Sequence, residues 1–344
     1  FPYTTLFRSR TGNFFAKVNP GKPNEIIGIN FSQGKSSGDS YHTLYIDDIE
    51  FISAPASPDI SENPTISNAK GYAKHVTIQW QPIKDEAIKF VQVYRSEDGV
   101  KYTPVGIQST LINRFVDFTG QTVRKYDYKI SFIGHDYKET ELSQPVTAYT
   151  RQMSDNELLS MVQEACFQYY WEGAEENSGL AKENIAGRHN MIASGASGFG
   201  IMALIAGTER KFITREQSIE RFLKIVSFLD RAATFHGAFS HFIDGQTGMV
   251  EPYFGKRDNG GDLVETSFLI QGLLAARAYF NGNDTREKTI RDKITSIWQK
   301  VEWNWYRHYP DSKFLYWHWS PDQAWIINHR LIGWNETKIG RAHV

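Results

Sequence analysis

The sequence predicts a multidomain chain: two all-β segments, then an all-α part that forms the first half of an (α/α)6 barrel. Three observations carry this. Up to about residue 150, apolar residues alternate with period two in short runs divided by turn residues, the pattern of half-buried strands. After Ser154 the spacing becomes helical, and helices with one apolar stripe alternate with helices that are apolar almost all round. The connections alternate too, tight in one direction and long in the other.

The first β segment, 10–55, holds Ile26-Ile27-Gly28-Ile29-Asn30-Phe31 and Leu44-Tyr45-Ile46-Asp47-Asp48-Ile49-Glu50-Phe51. Leu44 alternates with Ile46, and Ile49 with Phe51. The second run is similar to the closing strand of jelly-roll carbohydrate-binding modules, so the segment is expected to be the C-terminal remnant of a β-sandwich. Ser53-Ala54-Pro55-Ala56-Ser57-Pro58 reads as a linker. Residues 62–150 carry Val76-Thr77-Ile78-Gln79-Trp80, Val91-Gln92-Val93-Tyr94-Arg95 and Tyr126-Asp127-Tyr128-Lys129-Ile130, with a hairpin turn at Ser96-Glu97-Asp98-Gly99. This segment resembles a fibronectin type III domain, whose seven short strands suit its length. The resemblance implies a spacer.

Five helices and the start of a sixth follow. The first, about 154–172, opens with the capping-box pair Ser154 and Glu157. It sets Leu158, Val162, Cys166 and Tyr169 on one face, with Cys166 read as a small core residue. The second, about 196–210, is apolar on all sides. The third, about 214–233, has a second capping box, Thr214 and Gln217, and one stripe of Phe222, Ile225, Val226 and Leu229. The fourth, about 261–280, is again mostly apolar. The fifth, about 285–302, turns Ile290, Ile294, Ile297 and Trp298 inward. A sixth is expected from Pro321-Asp322, since proline suits a first helical turn. A striped helix covers a core from outside and an all-apolar one lies inside it, so outer and inner helices alternate. The long connections 173–195, 235–260 and 303–320 would then gather on one face, at the N-terminal ends of the inner helices. Long loops are usually functional.

Three motifs stand there: Ser194-Gly195-Ala196-Ser197-Gly198-Phe199-Gly200, then Asn259-Gly260-Gly261-Asp262-Leu263-Val264-Glu265-Thr266, then Tyr316-Trp317-His318-Trp319-Ser320-Pro321-Asp322, which runs on through Trp325 and Asn328 to Trp334-Asn335-Glu336. With Asn177-Ser178-Gly179-Leu180-Ala181, Phe235-His236-Gly237-Ala238-Phe239 and Ile243-Asp244-Gly245-Gln246-Thr247-Gly248, they resemble the glucoamylase-like catalytic domain of glycoside hydrolase family 144, the bacterial endo-β-1,2-glucanases. The resemblance spans 154–338 and implies the barrel already read from the helices, a β-glucan substrate and no cofactor.

Glycoside hydrolysis needs two carboxyl groups flanking the bond. The resemblance assigns Glu265 as the general acid. A helix N-terminus lowers a carboxyl pKa while an acid near neutrality needs a raised one, so burial must reverse the sign. Asp262 stands as a helix cap or a sugar ligand, and Asp244 as a turn residue, a sugar ligand or the alternative general base within the chain. The resemblance places the general base beyond residue 338. Phe199, Trp317, Trp319, Trp325 and Trp334 fit a sugar cleft, because pyranose C–H faces pack on aromatic planes. His318, Asn328, Asn335 and Glu336 stand beside them as polar contacts. An exo-acting glycosidase, a transglycosylase and a non-catalytic glycan-binding protein are the alternatives.

Other classes find little support. The net charge of −1 gives no electrostatic case for nucleic acid, and no apolar run is long enough to span a membrane. His318 and His329 lack metal-ligand spacing and no His-Glu-x-x-His occurs, so no metal site is expected. The single cysteine excludes an internal disulfide. Eight of the nine Trp follow residue 154, a clustering that a sugar cleft or a barrel core would explain. The ends 1–9 and 339–344 are similar to translated sequencing adapters, so both are set aside as scars and the chain is expected to be a gene fragment, inactive by itself. A glucan substrate implies a periplasmic or extracellular address.

Overall fold

The computed structural model describes residues 58–185, 188 and 190–338 in full, and three earlier strands by their backbone. Residues up to Ser53 form one compact unit and those from Ala54 another. In the first, β1 (Phe7–Ser9), β2 (Gly12–Asn19) and β3 (Lys22–Ser32) make an antiparallel sheet in that order. β3 contains the expected run 26–31. The run 44–51, most of the linker and 339–344 lie outside the described residues.

The second unit opens with seven strands: β4 (Ile66–Gly71), β5 (His75–Trp80), β6 (Ile88–Ser96), β7 (Thr103–Ser109), β8 (Arg114–Phe118), β9 (Lys125–Gly134) and β10 (Val146–Tyr149). They form two sheets, β4-β5-β8 and β10-β9-β6-β7. Inward residues of both sheets share one core, Val76, Ile78 and Trp80 meeting Val91, Val93, Tyr128 and Ile130, as aligned sandwiches require. The β4-β5-β8 sheet also grips the first helix. Arg114 makes two hydrogen bonds to Glu172, at 2.6 and 3.0 Å, and Gln79 adds a third at 3.2 Å. Lys70 pairs with Glu164 at 3.0 Å.

The helices begin where the caps predict. Ser154 and Glu157 close a reciprocal box ahead of α1 (Asp155–Trp171), and Thr214 and Gln217 do the same for α3 (Arg215–Leu229). α2 spans Ser194–Glu209, α4 Leu263–Tyr279 and α5 Thr285–Gln299. The stripes of α3 and α5 are buried as read: Phe222, Ile225, Val226 and Leu229, and Ile290, Ile294 and Ile297. α2 lies along α4, α3 lies against α5, α1 packs on α2 and α5 on α4, so the α2–α4 pair is backed by the other three helices. The inner pair crosses on glycine. A Cβ at Gly198 would stand 2.2 Å from the Phe268 carbonyl oxygen, and one at Gly272 would stand 2.4 Å from that of Gly198.

Two expectations are corrected. α1 does not bury the face of Val162 and Cys166: Val162 is 53% exposed and Cys166 is exposed. Its buried residue is Phe167, whose ring fills the notch left by Gly207, while Tyr170 fills that of Gly200. Glycine positions on the partner helix, not the apolar stripe of α1, set the contact face. No sixth helix forms among the described residues from Pro321. Ser320 and Ala324 exchange two backbone hydrogen bonds instead. The Ser320 hydroxyl donates to Asp322 and accepts from the Gln323 N–H, and Ala324 and Asn328 adopt φ of +49° and +44°. Such local side-chain bonds compete with the helix.

The long connections are tied down by small antiparallel pairs. β11 (Met191–Ala193) pairs with β12 (Phe242–Asp244) and runs straight into α2. β13 (Gly261–Asp262) runs straight into α4, and β14 (Leu315–Tyr316), β15 (His318–Trp319) and β16 (Arg330–Leu331) follow. β13 pairs with β15, bringing Asp262 opposite His318, and β14 pairs with β16.

Candidate active site

Strand-to-helix junctions place the acidic residues. Asp262 is the N-cap of α4 and its Oδ1 accepts from the Glu265 N–H at 2.9 Å, which satisfies one of the orphan donors of the first turn. Its Oδ2 accepts from the Trp317 indole at 2.8 Å and lies 3.5 Å from His241 Nδ1. Asp262 is thus both cap and site residue, and it is 2% exposed.

Glu265, in the first turn of α4, reaches across to α2. Its Oε2 accepts from the Gly195 N–H at 2.7 Å. Glycine leaves room for this contact, since a Cβ at 195 would stand 2.4 Å from that oxygen. The glycine-rich run therefore admits a carboxylate from the neighbouring helix. Burial and the nearby Asp262 carboxyl raise the Glu265 pKa, against His241 and the Gly195 donor. Desolvation outweighs the helix N-terminus, the sign an acid needs.

Two further groups complete the cluster. Asp258, buried, has its pKa pushed up to about 6 by that burial, with Asp262 adding to it and His241 opposing. His318 is 2% exposed with both ring nitrogens unpartnered, and its Nε2 lies 3.9 Å from Asp258 Oδ1. Burial lowers its pKa and favours the neutral ring. His241 behaves oppositely: burial works against its charge, yet the Asp262 and Glu265 carboxyls hold its pKa above the ordinary value. Ligand atoms of His241, Asp258 and Asp262 fall within 4.8 Å of one another, so these are the described residues that could hold a cation. Both Asp262 oxygens already accept from N–H donors.

The sign of the Asp258 shift sets a pH test. A carboxyl whose folded pKa is raised contributes most stability below its unfolded pKa, about 4, and that contribution is lost as pH rises through about 6. Asp258→Asn keeps the uncharged shape at every pH. Its melting temperature relative to the unmodified protein is expected to rise between about pH 4 and 6 and to level off above that. A difference independent of pH would overturn the assignment.

The remaining predicted residues divide. Trp319 stands edge-on to Trp305 at 5.7 Å and to His236 at 4.9 Å, and His236 stacks on Trp305 at 3.6 Å. Trp325 joins a separate group with His308, Tyr306 and Tyr316. Asp244 closes its own turn, one oxygen accepting from the Gln246 and Thr247 N–H groups. Phe199 is exposed on α2, 5.1 Å from Phe268. Asn328 is exposed, Trp334 is 88% exposed under the Lys338 ammonium, and Asn335 accepts from Thr337. Glu336 meets Gln271 of α4 through its backbone oxygen at 3.2 Å. The structure therefore gathers Glu265, Asp262, Trp317 and His318, and it adds Asp258 and His241, which carried no helical or capping signal. The adjacency of Asp258 to the Asn259-Gly260-Gly261-Asp262 motif was the one available hint.

Comparisons with known proteins bear on the chain as a whole. No family model matches the sequence. The exo β-1,2-glucooligosaccharide sophorohydrolase (non-reducing end) of Parabacteroides distasonis is 54% identical over 325 residues, 94% of this chain and 45% of that protein. Solved structures similar to this chain include β-1,2-glucan hydrolases. A β-1,2-glucanase from P. distasonis matches with TM-score 0.81 and 53% identity over 94% of this chain and 46% of that one. The endo-β-1,2-glucanase of Chitinophaga pinensis, in complex with sophorotriose and glucose, matches with TM-score 0.52 and 47% identity over 55% of this chain and 46% of that one. The chain thus spans about half the length of the relatives it matches.

Proposed function

We propose that the protein is a glycoside hydrolase of the family 144 kind that cleaves β-1,2-glucan, with residues 154–338 as the first half of its (α/α)6 barrel. The observation that carries this reading is the buried carboxyl cluster at the N-terminal ends of α2 and α4, where burial raises the pKa of Glu265 and of Asp258 and the Trp317 indole donates to Asp262. Cleavage of a glycosidic bond needs a carboxyl that keeps its proton near neutrality and gives it to the leaving oxygen. Glu265 takes that role. Asp262, fixed by Trp317 and by its own helix, positions the first turn of α4 and faces His241. The general base is assigned to residues beyond 338. Residues 10–55 and 62–150 serve as sandwich modules, the second of fibronectin type III kind, and the enzyme works in the periplasm or outside the cell.

Exo action from the non-reducing end is favoured because the relative named for it aligns with 94% of the chain, β segments included, whereas the endo-acting one aligns with 55%. The intact protein, given linear β-1,2-glucan, is expected to release sophorose as the sole early product. A ladder of longer oligosaccharides would establish endo action, elongated products transglycosylation, and binding without cleavage a glycan-binding protein.

A further inference from the structure

The turn that delivers Asp258 also sets two large aromatic rings out in the open. Tyr253 and Phe254 are 49% and 65% exposed, with ring centroids 5.3 Å apart. Both rest on the buried ring of Phe242, at 5.4 and 5.5 Å. Phe254 also meets the ring of His241 edge-on at 5.2 Å, and His241 is the group facing Asp262. The turn is held by backbone bonds, Gly255 N–H to Pro252 O at 3.0 Å and Asp258 N–H to Gly255 O at 2.9 Å. The Arg188 guanidinium lies 5.3 Å over the Tyr253 ring and is ion-paired with Glu251. The pair is thus exposed on a turn fixed by backbone bonds, one histidine ring from the buried acid cluster.

We propose that Phe254, with Tyr253 beside it, is the stacking platform for a glucopyranosyl unit next to the cleaved linkage. This rests on the β-glucan reading above. A β-linked glucose carries its hydroxyls equatorially, so its two faces present C–H groups that pack on an aromatic plane. The Arg188 guanidinium over the neighbouring Tyr253 ring, and the Tyr253 hydroxyl, bring hydrogen-bond donors to the same turn. The turn then serves two ends, placing Asp258 by its backbone and the sugar by its side chains.

The test uses the intact protein with Phe254→Ala and Phe254→Trp. Kinetics are measured on linear β-1,2-glucan, and sophorose binding is titrated in a Glu265→Gln background. Phe254→Ala is expected to raise KM and the sophorose Kd about tenfold, the scale of one lost aromatic contact, with a smaller fall in kcat and little change in Tm. Phe254→Trp is expected to restore both constants. Unchanged KM and Kd in Phe254→Ala would overturn the platform. So would a large loss of Tm at unchanged Kd, which would show that the protein's own chain covers the pair. If the unmodified protein leaves β-1,2-glucan uncut, the functional reading fails instead, and the sophorose titration still decides the platform.

Discussion

Glu265→Gln in the intact protein is expected to lower kcat on β-1,2-glucan about 10³-fold while leaving the fold in place. The amide is nearly isosteric, and its oxygen can still accept from the Gly195 N–H that now meets Glu265 Oε2 at 2.7 Å, so the α2–α4 contact survives. What is lost is the proton, and proton transfer by a placed acid contributes about 10²–10⁴ in rate. A substrate with a good leaving group separates this role from a structural one. An aryl β-sophoroside needs little protonation to depart, so the variant should keep far more of its rate on that substrate than on glucan. Equal losses on both substrates, or ordinary turnover of glucan, would remove Glu265 from the acid's role.

Gly198→Ala is expected to destabilise the helical part by at least about 3 kcal/mol in urea unfolding. Alanine in a helix ordinarily gains about 1 kcal/mol over glycine. Here the added methyl would lie 2.2 Å from the Phe268 carbonyl oxygen and 2.5 Å from its carbon. Both are backbone atoms, so no rotamer change relieves the clash, and overpacking of a fixed core costs about 1–3 kcal/mol even where side chains can yield. Relief requires α4 to move off α2, which would also draw Glu265 away from Gly195. Activity should therefore fall with stability. A variant as stable as the unmodified protein would mean that the two inner helices are further apart than Gly198 and Gly272 imply.

Much of this architecture was legible in the residues. Ser154 with Glu157 and Thr214 with Gln217 are local devices whose geometry depends on a few neighbours, so those helix starts read correctly, whereas α4, expected from about 261, starts at Leu263 with Asp262 as its cap. The stripes of α3 and α5 read correctly because those helices bury one face each. α1 did not, because its neighbour α2 offers glycine notches at 200 and 207 that accept Tyr170 and Phe167, a property of another segment. The expected helix at Pro321 failed for a local reason, the competing bonds of Ser320 and Asp322. In the site, Glu265 and Asp262 announced themselves by motif. Asp258 and His241 did not, since their burial and mutual approach arise only when the 235–260 connection folds back over α4.

The junction between β13 and α4 has a consequence for how such sites can change. Gly261 and Asp262 lead into the helix without a spacer, so strand register and helix phase are a single variable. A one-residue slip of this pair against His318 and Trp319 would exchange the faces of the strand and rotate the start of the helix by about 100°. Glu265 would then point away from Gly195. Lengthening the far parts of the 303–320 connection leaves that phase untouched, whereas a single insertion between Trp317 and Trp319 resets it. Variation in this loop should therefore be free in length at its tip and intolerant of even one residue at its base.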